Sequence, residues 1–185
     1  MNETIHSLTR LGKSRLSIWR YGLTNTDQKL CPMKLSGPNS RSFTLTIVGY
    51  EFPALATTPY DSNWLDIRVD VISDQGTWSA SDPCLLTYEV QQLADWLDAI
   101  GEHRNASSVC SFTEPCLAFQ LLTDDQGQPI LRILFELELR PAWAASKTAS
   151  REDVWIELPL TLPSASRAAQ ELRTELERYP QRTAV

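Results

Sequence analysis

The stretch LDIRVDVISDQGTWS, residues 65–79, decides how this chain folds. Leu65, Ile67, Val69 and Val71 alternate with Asp66, Arg68 and Asp70. A period of two belongs to a strand with one buried and one solvated face. Asp74-Gln75-Gly76 supplies turn chemistry, and Thr77-Trp78-Ser79 reads as a short returning strand. A two-faced strand that turns straight back makes an antiparallel sheet, not a doubly wound parallel one.

The same alternation recurs on both sides of this hairpin. Phe43, Leu45 and Ile47 are interleaved with Thr44 and Thr46. Leu117, Phe119 and Leu121 form another set, followed by a Gly-containing loop from Asp124 to Gln128. A long partner strand is expected next, with Leu131, Ile133, Phe135, Leu137 and Leu139 on one face and Arg132, Glu136, Glu138 and Arg140 on the other. Val154, Ile156, Leu158, Leu160 and Leu162 make the last strand, where Pro159 predicts an edge or a bulge.

Two amphipathic helices interrupt the strands. The first has Thr87 as N-cap, an apolar stripe of Val90, Leu93, Trp96, Leu97 and Ile100, a polar side that includes Glu89, and Gly101 at its end. The second runs from near Ser164 to Tyr179, with Ala165, Ala168, Ala169, Leu172, Leu176 and Tyr179 inward, and Pro180 stops it. The expected fold class is α+β: an antiparallel sheet or sandwich of about six to eight strands carrying two packed helices.

A chain of 185 residues fits one domain. Residues 41–185 read as that domain, and residues 1–40 read as a loosely structured basic extension. The extension holds six Lys/Arg against Glu3 and Asp27; the rest holds eleven basic and twenty-one acidic side chains, a net of −10. Such a body repels nucleic acid and anionic membranes and attracts basic partners. Met33 precedes the first convincing strand, and residues 1–32 read as lying upstream of the natural start. A chain beginning at Met33 is therefore expected to keep its thermal midpoint within a few degrees; a much larger drop would refute this.

No apolar run approaches a membrane span of about 18 residues, and the N-terminus lacks the apolar core of a secretory leader. Cysteines stand at 31, 84, 110 and 116 with no CxxC pair, so they read as reduced, structural thiols. Two histidines, His6 and His103, offer no metal-ligand spacing, and no Walker loop or GxGxxG is present. No cofactor, metal or catalytic residue is expected.

Three clusters hold what chemistry there is. Glu136 and Glu138 would stand about 7 Å apart on one strand face, within the range of a glycosidase pair, but Arg132 and Arg140 continue that face as a solvated, charge-balanced surface. Asp66 and Asp70 share a face with Arg68 between them. Within PYDSNWL, residues 59–65, Asp61 closes a turn, Asn63 supports it and Trp64 lies over the sheet, a strand entrance in which Trp64 is alternatively a surface anchor for a partner.

VGYEFP at 48–53, DSNWL at 61–65, PCLLTYEVQQLADWL at 83–97, FTEPCLAFQL at 112–121, FELELRPAW at 135–143 and LERYPQR at 176–182 form an ordered series. In that order and spacing the series resembles the WapI-type immunity proteins of bacterial polymorphic toxin systems. The resemblance implies a cytoplasmic protein that binds and neutralises a toxin's C-terminal domain, often a nuclease, and it transfers no catalytic motif. Asp66, Asp70, Glu136 and Glu138, or Asp95 and Asp98 of the first helix, are then the acidic residues expected to meet that partner, with Trp64 beside them. The rival readings are a small-ligand or carbohydrate-binding β module using Trp64, Trp78, Trp143 or Trp155 as a stacking platform, and a hydrolase using Glu136 and Glu138.

Overall fold

The computed structural model describes residues 32–54, 58, 60–144 and 154–183. Among them are eight strands and two α-helices arranged as two four-stranded antiparallel sheets, an α+β fold. The first sheet is a meander of β1 (Met33–Ser36), β2 (Ser42–Tyr50), β3 (Trp64–Ser73) and β4 (Gly76–Leu86). After α1 (Thr87–Gly101) come β5 (Val109–Ser111), β6 (Leu117–Thr123), β7 (Pro129–Phe135) and β8 (Trp155–Pro159), the second meander, and α2 (Leu162–Arg178) follows.

The decisive hairpin forms as its alternation dictates. Val69 pairs with Ala80 and Val71 with Trp78 across the Asp74-Gln75 turn, and Leu65, Ile67, Val69 and Val71 are all buried. The returning strand is longer than the three residues expected, because small and polar residues (Ser79, Ala80, Ser81, Asp82) suit an edge position that carries no strong apolar signal. β8 is the other sheet's edge and ends at Pro159, where a missing N–H costs least.

The buried faces of the two sheets meet around aromatic rings: Phe43 of β2 lies 5.9 Å from Phe119 of β6 and 5.9 Å from Phe135 of β7. Trp96 of α1 reaches the same core, 6.4 Å from Phe119. α2 lies along β1, where the Lys34 N–H donates to Glu171. α1 ends at Gly101, as expected, and the glycine has a second role: a Cβ there would stand 3.0 Å from the Ser166 nitrogen, so it lets the start of α2 close on the end of α1. The left-handed turn out of α1 falls on His103 at φ 56.

Several boundaries need correction. Met33 and Leu35 are buried in β1, so the loose segment expected over residues 1–40 does not extend across 33–40; residues 1–31 lie outside the described set. Leu86, not Thr87, is the N-cap residue of α1, and its N–H donates to Glu89 Oε2. Glu89 is buried rather than solvated, because its other oxygen accepts from the Thr113 N–H at 2.7 Å. α2 begins two residues earlier than expected, with Thr161 as N-cap accepting from the Ser164 N–H.

Cys84 and Cys116 are joined in a disulfide, which corrects the reading of reduced thiols. Thirty-two residues separate them in sequence, and only the stacking of the two sheets brings their Cα atoms to 6.4 Å. Cys110 is the free thiol among the described residues; burial pushes its pKa up to about 11. A thiol so rarely ionised is a poor nucleophile. Native protein at pH 8 is expected to leave Cys110 unalkylated by iodoacetamide, and fast modification without unfolding would contradict that.

Candidate functional site

Two β-bulges shape the end of the first sheet. Ile47 pairs with Ile67 but Gly49 with Asp66, so Val48 is an extra residue; Leu65 pairs with Leu85 but Asp66 with Pro83, so Cys84 is another. A bulge bends its strand and re-aims the side chains beyond it. Here both bulges oppose the same stretch of β3, and beyond them the sheet opens into a cleft of about 530 Å³.

The cleft is lined by Glu51 and Phe52 just after β2, Asp61 and Trp64 at the entrance to β3, Asp82 and Pro83 of β4, Glu114 of the β5–β6 loop and Glu138 beyond β7. Asp66, two residues along the same strand face as Trp64, shares its field. Burial first, then Asp66, Asp82 and Asp61, hold the Glu51 carboxyl above its usual range. Burial first, then Glu138, Asp66 and Glu114, do the same to Asp82. Among the described residues none of these six carboxylates takes a salt bridge. No grouping of described side chains is built to hold a metal ion. The cleft's lining carries five carboxylates and no Lys or Arg, a field that attracts positive charge.

Of the residues expected to meet a partner, the structure brings Trp64 and Glu138 to this cleft and places Asp66 close enough for its charge to act on Asp82. The others are placed elsewhere. Asp70 accepts a two-pronged bond from Arg68 and a further bond from Ser79, and Arg68 holds its carboxyl below the usual range. Asp95 and Asp98 bind Arg173 at 3.0 and 3.2 Å, joining α1 to α2. Glu136 and Glu138 do not share a strand face: β7 ends at Phe135, and Leu137 turns the backbone at φ 50. The apolar alternation through Leu137 and Leu139 continues past the strand and so misleads.

The opening of PYDSNWL is a strand entrance, as read, but other groups build it. Asp61–Asn63 is a 3-10 turn closed by the Trp64 N–H on the Asp61 carbonyl, and the Ser62 hydroxyl donates to Thr58. The Asp61 carboxylate is left for the cleft. Asn63 is fully buried and ties in the C-terminal segment: it donates to the Arg182 carbonyl at 2.8 Å and accepts from the Arg182 N–H at 2.7 Å and the Thr87 hydroxyl at 2.9 Å. Arg182 in turn lies 3.5 Å over the Tyr50 ring and donates to the carbonyls of Phe52 and Pro53, fixing the loop that carries Glu51 and Phe52.

Glu51, Asp82 and Glu114 were not singled out by sequence. They come from three separate elements, and nothing local marks any of them.

No helix among the described residues is long and apolar enough to cross a membrane. No curated protein and no solved structure matches the chain. A family model does match, over residues 34–180, which takes in both sheets, both helices and every wall of the cleft. By that match the chain belongs to the immunity protein WapI-like family.

Proposed function

We propose that this chain is the cytoplasmic inhibitor of a contact-delivered bacterial toxin, and that it blocks the active-site groove of the toxin's C-terminal nuclease domain with its acidic cleft. The observation that carries this reading is the cleft: five carboxylates line it with Asp66 alongside, two of them have raised pKa, and none is neutralised by a salt bridge among the described residues. A nuclease grips phosphate with Lys and Arg. A surface that mimics that negative charge is steered to the grip and covers it. Inhibition by occlusion needs a rigid frame and no chemistry, and the Cys84–Cys116 bond ties the two sheets directly beside Pro83 and Glu114. Disulfides are uncommon in the cytoplasm. This one is sealed at both ends, with Cys84 0% and Cys116 1% exposed, away from bulk reductant.

The rival readings find less support. A sugar platform needs coplanar exposed rings, whereas Trp78 and Trp143 cross at 89° and Trp155 is covered by Arg132 at 4.6 Å. A hydrolase using Glu136 and Glu138 needs both in one pocket, and only Glu138 lines the cleft.

The test is rescue. The C-terminal domain of the toxin encoded by the adjacent upstream reading frame should arrest growth when expressed alone. Co-expression of this chain should restore growth, and the two should copurify in equal amounts. Arrest that persists despite abundant folded inhibitor would refute the reading.

A further inference from the structure

Around the acidic cleft stand large apolar side chains that the core does not absorb: Phe52, 42% exposed, Tyr60, 48%, Tyr88, 39%, and Leu137, 52%. Phe52 lines the cleft itself, and Tyr60 packs edge-on against the cleft's Trp64 at 5.8 Å. Tyr88 lies near Tyr60 and Thr113, the latter next to Glu114. Leu137 precedes Glu138.

Leu137 is the exceptional member. Its φ of 50 lies in the left-handed region, which glycine or asparagine enters freely and a γ-branched side chain does not. The turn does not need its side chain, since backbone bonds close it: Leu139 N–H to the Glu136 carbonyl, Arg140 N–H to the Leu137 carbonyl, and Glu136 N–H to the Cys116 carbonyl. The fold thus carries a strained residue whose side chain is half in solvent, at the lip of the charged cleft. Strain held at such a position belongs to function rather than to stability.

We infer that Leu137, with Phe52, Tyr60 and Tyr88, is the apolar rim that seals the cleft around a basic protrusion of the toxin, Leu137 being its anchor. This rests on the reading that the cleft receives the toxin. Charge complementarity names the occupant: a Lys- or Arg-bearing projection with apolar flanks. The rim excludes water from the charge pairs inside, where desolvated pairs count for far more than exposed ones.

The probe is the purified C-terminal domain of the adjacent toxin, titrated against wild type, Leu137→Gly and Leu137→Met. Leu137→Gly should hold or raise the thermal midpoint, by up to about 4 °C, because the backbone strain is relieved. Its affinity should fall at least tenfold, while Leu137→Met should bind within threefold of wild type. Leu137→Gly binding within twofold of wild type would overturn the inference. So would a midpoint drop of more than 5 °C, which would make Leu137 a structural prop. If wild type itself does not bind the domain, the immunity reading fails first and the rim falls with it.

Discussion

Glu51→Lys combined with Asp82→Lys is expected to slow association with the toxin domain by about 100-fold at low salt and to flatten its salt dependence. The two carboxylates sit at the centre of the field: each is pushed up by burial and by three neighbouring acids, two of the three differing between them. Electrostatic steering raises association rates by about 10- to 1000-fold, and it is the component that ionic strength removes. Asp125→Lys combined with Glu177→Lys, both exposed and outside the cleft, makes a control of equal charge change and should alter the rate far less. Equal slowing by the control would reduce the effect to net charge and discard the cleft.

The same two residues give a stability test of opposite sign. A carboxyl whose pKa is raised by folding is less willing to ionise in the native state, so its charge destabilises the fold at neutral pH. Stability from Glu51 and Asp82 is therefore gained as pH falls through their raised pKa values. Asp70 runs the other way: its pKa is lowered by Arg68, so its contribution is present above the unfolded value and lost only as pH falls through the lower folded one. Glu51→Gln with Asp82→Asn should thus raise the thermal midpoint at pH 7 while weakening the complex. Toxin affinity of the wild type should drop on acidification before ordinary surface carboxylates titrate.

How far the sequence reached depends on the range of the interaction involved. The β3–β4 hairpin and the stripes of α1 and α2 were legible because each needs only a local period, and Pro159 correctly marked an edge. What was lost is non-local. Glu89 looks solvated on a helical wheel, and only its bond to Thr113 across the fold explains its burial. Val48 and Cys84 are bulge residues because of what they pair with, not because of their type. Leu137 keeps the apolar rhythm of β7 while the backbone turns left-handed beneath it, which put Glu136 and Glu138 on a face that does not exist. The cleft draws its acids from residues 51, 61, 82, 114 and 138, with Asp66 adding its charge, and no window of sequence contains more than two of these six within a strand's length. Trp64, Asp66 and Glu138 were reachable as individual charged or aromatic positions; their convergence was not.

Asn63→Leu is expected to cost about 3 kcal/mol, a fall of roughly 6–12 °C in thermal midpoint for a chain of this length. The leucine matches the amide in size, so packing is nearly kept and the loss is polar. The Thr87 hydroxyl, 2% exposed at the start of α1, would lose its acceptor, and a buried group without a partner costs about 1–3 kcal/mol. The two bonds to the Arg182 backbone would go as well, freeing the segment that follows α2. That release propagates to the site. With the segment loose, Arg182 no longer covers Tyr50 or holds the carbonyls of Phe52 and Pro53, and the loop bearing Glu51 loses its outer support. Arg182→Ala separates the two consequences: it keeps the backbone bonds to Asn63, so the midpoint should fall by no more than about 4 °C. Toxin affinity should still drop about tenfold, because Glu51 and Phe52 are no longer preorganised. Both variants binding toxin as tightly as wild type, measured well below their midpoints, would show that the tail supports the fold alone and that the cleft needs no help from it.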